Sequence, residues 1–144
     1  MHTRFSLDAD DVKAALAAAE QEALRHGWAV SLALLDDGGH LQGFLRLNGA
    51  TPLSAEFAVD KARTAALSRR ESKFYDEGVK GGRLALLAAK SVLPLEGGVP
   101  ILIDGHCLGG IGVSGVKSAE DAQVAEAGLR AILARRPTGG GTVG

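Results

Sequence analysis

The chain is short of nearly everything that usually announces a function. It has one cysteine, Cys107, so an intramolecular disulfide and a cysteine-built metal site are both excluded. Its apolar neighbour Leu108 favours a buried, inert thiol. The histidines His2, His26, His40 and His106 show no spacing that resembles a metal site. Aromatic residues make up only 4% of the chain, which leaves the core to small aliphatic side chains that must pack closely. Sixteen basic residues stand against seventeen acidic ones, a balance that gives no electrostatic reason to expect nucleic acid. No apolar run reaches the length of a membrane span; the longest, Trp28 to Leu35, contains Ser31 and ends at Asp36 and Asp37. The first residues carry Asp8, Asp10 and Asp11 in place of a basic and apolar export signal, so a cytoplasmic location is expected.

What the chain has in quantity is alanine and glycine. Its 144 residues suit one domain, expected over 1–136, with a flexible glycine- and threonine-rich tail at 137–144. Ser6 is placed to cap a first helix through Val12, Ala15, Leu16, Ala19 and Ala23, and Gly27 is a natural stop. Val30, Leu32 and Leu34 then alternate with Ser31, Ala33 and Leu35 as a strand buried on both faces. Asp37-Gly38 signals a tight reversal. The returning strand sets Leu41, Gly43, Leu45 and Leu47 on one face and Gln42, Phe44 and Arg46 on the other.

Ser54 is a plausible cap for a second helix whose stripe is Ala58, Ala62, Ala65 and Ala66. Gly78, Gly81 and Gly82 interrupt the chain before a short helical run from Arg83 to Lys90 and a weak strand at Ser91 to Leu95. Ile101–Ile103 and Cys107–Val113 form a second hairpin around Asp104-Gly105-His106. Ser118 with Asp121 resembles a capping box that opens a last helix through Val124, Leu129, Ile132 and Leu133. Short turns between strands imply an antiparallel sheet, and helices before, between and after it imply a sheet covered by helices.

Three glycine-marked segments beside strand-like runs point to a pocket: Asp36-Asp37-Gly38-Gly39-His40, Gly97-Gly98-Val99-Pro100-Ile101 and Gly109-Gly110-Ile111-Gly112-Val113-Ser114-Gly115. The last contains G-x-G-x-x-G, but inside a hairpin strand and with no acid in Leu129–Ala134, so a dinucleotide site is not expected. Its glycines instead let a helix or a ligand approach the strand backbone. His40, at a turn, is either solvated or free to act as a general base or an axial ligand to a cofactor metal. Arg46 either forks onto a carboxylate or pairs with an acid such as Glu56 or Asp60. Lys61, among alanines, either snorkels to the surface or is desolvated enough to hold an anion. Ser54 and Ser118 lack the setting of a nucleophile elbow. Asp36 and Asp37 are neighbours whose side chains diverge.

Taken with Leu35, Leu41, the Arg46-Leu47-Asn48-Gly49-Ala50 run, Ser54, Lys61-Ala62-Arg63-Thr64-Ala65 and Glu120-Asp121, these segments resemble the haem-binding HbpS and glycolate-operon GlcG family over essentially the whole chain. The resemblance implies a single α/β domain of profilin/roadblock-like character, with an antiparallel sheet of about five strands covered by helices. It also implies assembly into homo-oligomers, from dimers to tetramers or octamers. Carried over residue by residue, the family pattern marks Asp36, His40, Arg46, Asn48, Ser54, Lys61, Thr64, Gly98, Ser114 and Asp121 as pocket positions. The family usually has Asp where this chain has Asn48, and Gly where it has Val116.

Two readings follow. In one, His40, Arg46 and Lys61 are polar contacts around a small-ligand pocket walled by the glycine-rich strand, with haem as the family-suggested cofactor, His40 as its candidate ligand, and a small carboxylate as the other fitting ligand. In the other, the same three residues serve a cofactor-independent isomerase, cyclase or lyase on a carbonyl acid, with His40 moving a proton. A third possibility is an assembly module without a pocket. No dedicated metal site, nucleic-acid partner or membrane partner is expected.

Overall fold

A computed structural model describes residues 6–136; the tail expected at 137–144 lies outside them. The first helix, α1 (Ala9–His26), is followed by strands β1 (Ser31–Asp36) and β2 (Leu41–Arg46). Next come helices α2 (Pro52–Ser68) and α3 (Lys73–Lys80), a 3-10 turn at Leu84–Ala88, strands β3 (Gly98–Ile103) and β4 (His106–Ser114), and helix α4 (Ser118–Arg135). The four strands form one antiparallel sheet in the order β2-β1-β4-β3. The expected fifth strand at Ser91–Leu95 is absent among the described residues; that segment is irregular and pinned by side chains instead. No described helix is long and apolar enough to cross a membrane.

The helix starts show which polar groups win the free amides. Asp8, not Ser6, caps α1: its carboxylate accepts the Asp11 N–H at 2.7 Å, while Asp11 returns the bond to the Asp8 N–H. Thr51, not Ser54, caps α2, because Pro52 takes the first helical position, where its missing N–H leaves no donor unpaired. At α4 the cap position is Lys117, and two carboxylates downstream reach back. Glu120 accepts the Lys117 N–H and Asp121 the Val116 N–H. Gly27 ends α1 in the left-handed region at φ 70°. The middle of the chain holds one helix more than its pattern suggested, α3, and the run expected as a helix at 83–90 is the 3-10 turn.

One face of the sheet carries the main core. Leu32, Leu34, Ile111 and Val113 pack there against Val12, Ala15 and Ala19 of α1 and Val124, Ala125 and Ile132 of α4. On the other face α2 lies alone, its Ala58 and Ala62 against Ala33 and Leu35. The approach is close because β3 and β4 present bare backbone: a Cβ on Gly112 would fall 2.0 Å from the Ala58 carbonyl oxygen, and one on Gly110 2.4 Å from that of Ala62. Of the two partners expected for this bare backbone, a helix and a ligand, it is the helix that occupies it, so the strand seats α2 and does not wall a pocket there.

A bulge corrects the predicted faces of β2. Leu34 pairs with Gly43, but Leu35 pairs with Leu41, so Gln42 is the extra residue. Gln42 thereby swings to the α1 side, its Nε2 3.5 Å from the Leu7 carbonyl, and Leu41 joins Phe44 on the α2 side. Because α2 sits over β1, β4 and β3, this part of β2 stays uncovered: Leu41 is 59% and Phe44 38% exposed.

Candidate functional site

The expected cluster of His40, Arg46 and Lys61 does not form within one chain. Lys61 is 2% exposed and belongs to the interior. Its Nζ donates to the Val113 carbonyl at 3.0 Å and to Asp121 Oδ2 at 3.0 Å, tying α2 to the start of α4. Ser54, bonded to Ser31 Oγ at 2.9 Å, and Ser114, paired with Ser31 in the sheet, lie at this same end of the strands. The side chains of Lys61, Asp121, Ser31 and Ser54 are all spent on the fold. Arg46 also lies at this end, but on the edge strand, with Nε on the Ala50 carbonyl at 2.9 Å. With Asn48 it lines a cleft of about 330 Å3 beside Trp28 and Leu47.

His40 is at the opposite end of β1 and β2, roughly 15–20 Å from Arg46 along the strand. Its side chain is 83% exposed. Asp36 organises the turn: Oδ1 accepts the N–H groups of Gly38 and His40 at 2.9 Å and lies 3.4 Å from His40 Nδ1. Burial raises the Asp36 carboxyl, but the two amide donors together with the adjacent His40 side chain outweigh it and hold the group below the usual carboxylate range. An acid/base pair needs both members at one cavity, and Lys61 and His40 do not share one. The proton-transfer reading built on them therefore loses its geometric basis.

The turn does meet α2 on its outer side. A Cβ on Gly39, which has φ 83°, would touch Leu67 and Arg63 at 3.4–3.5 Å. Arg63 in turn lines two adjoining hollows. One, of about 360 Å3, is walled by Phe44, Ala55, Glu56, Val59, Asp60 and Arg63. The second, of about 210 Å3, is walled by Asp60, Arg63, Lys90, Ser91, Val92 and Leu93. Asp60 Oδ1 holds Arg63 Nη1 at 2.9 Å on the ridge between them. Thr64 fixes the far wall: its hydroxyl donates to the Asp60 carbonyl and accepts the Leu93 N–H, both at 2.8 Å. Gly98, also expected at a pocket, exchanges hydrogen bonds with Ser72.

Of the expected positions, the turn that carries Asp36 and His40 adjoins this flank through Gly39, and Thr64 braces it from behind, while none of the three lines either hollow. The flank adds Phe44, one of the few aromatics available as a haem wall, and Arg63 from the family-like run around Lys61, together with Val59, Lys90 and Ser91, which the sequence did not single out. A signal for Arg63 existed. Two residues past Lys61 on a helix is about 200° of rotation, so once Ala58 and Ala62 face the sheet with Lys61, Arg63 must face away.

The buried pair has a pH signature. Burial pushes the Asp121 carboxyl up to about 6, against the attraction of Lys61 and the Val116 N–H. The native state thus takes up a proton before the unfolded chain does. This contribution to stability is complete below the unfolded value of 3.8 and is lost as the pH rises through about 6. Asp11, Glu22 and Asp36 are lowered and act in the opposite sense, in more acid solution. Urea unfolding is expected to show wild type on the order of 1–2 kcal/mol more stable at about pH 5 than at about pH 7.5. The Asp121→Asn variant should lose that slope, and equal slopes in the two proteins would refute the assignment.

The architecture is that of a single-domain α/β protein with a helix-covered antiparallel sheet and a mixed apolar and cationic flank. The chain matches the family model described as "Haem degrading protein HbpS-like" over residues 7–130, and it belongs to that family. It is 46% identical over 114 residues to Protein GlcG of Escherichia coli K12, covering 79% of this chain and 85% of that protein. Among solved structures, a double mutant of HbpS from Streptomyces reticuli superimposes with a TM-score of 0.82 at 30% identity, covering 90% of this chain and 89% of that one. A PduOC–haem complex does so with 0.80 at 25% identity, covering 88% and 95%.

Proposed function

We propose that the protein is a small-ligand-binding member of its family that holds a tetrapyrrole, haem in the first instance, on the outer flank of α2. One observation carries the reading: the Phe44 hollow and the Arg63–Lys90 hollow share Asp60 and Arg63, so an apolar shelf and a cationic recess lie side by side. A flat apolar ring bearing carboxylates has the same two parts. Haem iron accepts nitrogen ligands, and His40 Nε2 has no protein partner among the described residues, Asp36 lying at the other ring nitrogen. The haem complex of the related PduOC supports this choice of ligand.

The flank is open on its outer side, and ligand sites usually enclose most of what they bind. A second copy of the chain supplies the cover in this proposal, which makes the binding form a homo-oligomer. Titration of haem followed by its Soret absorption tests the reading. Phe44→Ala is expected to weaken binding about tenfold through lost apolar contact, and His40→Ala to shift the band as well. Spectra and affinities unchanged in both variants would remove the flank as the site.

A further inference from the structure

We infer that the smaller hollow, between α2 and the segment 90–93, is a carboxylate site formed by Arg63, Lys90 and Ser91. The inference deepens the proposal above and rests on the α2 flank being the binding surface. It does not require that the ligand be haem.

Lys90 Nζ and the Ser91 hydroxyl make no hydrogen bond or ion pair among the described residues, and Arg63 spends only Nη1, on Asp60. Unspent donors from three residues thus border one recess. The recess has a rigid frame, because Thr64 binds the Leu93 N–H and so anchors the segment that carries Lys90 and Ser91 to the helix that carries Arg63. Asp60 holds the guanidinium in place and leaves its remaining N–H groups for a second acceptor.

Charge and size narrow the ligand. Two cations and one carboxylate leave a surplus of one positive charge. One surplus positive charge neutralises a monoanion, whereas a phosphate dianion would keep an uncompensated negative charge beside Asp60. At about 210 Å3 the recess is smaller than the ~300 Å3 lower limit of common ligand pockets. It therefore takes one carboxylate group, or an acid of a few atoms, and not a whole larger molecule. The group has two possible sources, an acidic side chain of a tetrapyrrole lying on the Phe44 shelf or a free short-chain acid.

Two measurements separate the sources. Haem and its dimethyl ester, which lacks free carboxylates, are titrated against wild type, Lys90→Ala and Ser91→Ala. Independently, acetate is titrated while the backbone amide resonances of Ser91, Val92 and Leu93 are followed. If the tetrapyrrole supplies the group, Lys90→Ala weakens haem about tenfold and leaves the ester unaffected. If a free acid supplies it, acetate shifts the three amides saturably in wild type and not in Lys90→Ala. Haem and ester bound equally by every variant, together with no saturable acetate shift, would overturn the site. The Phe44 shelf is judged separately by Phe44→Ala, so either element can fail without the other. Lys90 and Ser91 are exposed, and a urea midpoint for each variant confirms that it folds as wild type.

Discussion

Gly112→Ala is expected to leave little or no folded protein. The added methyl would sit 2.0 Å from the Ala58 carbonyl oxygen and 2.5 Å from the Ala62 amide nitrogen. Both are main-chain atoms of α2, so no side-chain rotation relieves the clash and the whole helix must lift. Lifting it uncovers the buried cluster of Ala33, Leu35, Ala58 and Ala62 on that face. Overpacking alone typically costs about 1–3 kcal/mol, and lifting α2 adds the loss of its whole buried contact with the sheet, a sum that approaches a total stability of roughly 5–15 kcal/mol. Gly105→Ala is the control. Its Cβ meets nothing within 4 Å, so the only penalty is the left-handed backbone at φ 79°, worth about 1 kcal/mol. Soluble yield and urea midpoints decide the matter; a Gly112→Ala protein as stable as Gly105→Ala would mean that α2 is not seated on bare strand.

The second large effect belongs to the Lys61–Asp121 pair. Lys61→Ala strands a carboxylate that is 2% exposed, and breaking such a pair by removing one partner typically costs about 3–5 kcal/mol. Replacing both members should recover much of that loss. In Lys61→Met with Asp121→Asn the methionine fills the lysine's channel and the asparagine oxygen can still accept the Val116 N–H. The double variant is therefore expected to be more stable than Lys61→Met alone, by on the order of 2 kcal/mol in a double-mutant cycle. The same protein tests function, because the pair lies away from the α2 flank. Its haem affinity should equal that of wild type, and a loss of binding in a folded double variant would return Lys61 to the ligand site.

The layered fold was legible because its determinants are local. Alternation in Val30–Leu35, Asp37-Gly38 at one turn and Asp104-Gly105 at the other marked both hairpins, and the alanine stripe marked the face of α2 that meets the sheet. The helix caps were less legible. Several hydroxyls and carboxylates compete within a few residues, and three-dimensional reach decides among Ser6 and Asp8, or Thr51 and Ser54.

The site was legible only in part, for two physical reasons. Charge placement does not distinguish a lysine that meets a ligand from one that meets an aspartate 60 residues away, and Lys61 is of the second kind. Nor does the 90–93 segment have any periodicity; its position comes from a single threonine on another element. His40 was visible because a turn histidine after two glycines cannot be buried among helices, whereas Arg46 was assigned by the company of Phe44 on a face that the bulge rearranges.

That bulge has a consequence for how the molecule can vary. Gln42 absorbs one residue of slack between the Asp36–His40 loop and the half of β2 that fills the core with Leu45. A loop gaining or losing a residue can therefore be accommodated by closing or widening this kink, without turning Leu45 outward. The exposed tip carrying the histidine is thus free to diversify among descendants of one scaffold while the hydrophobic interior is inherited unchanged.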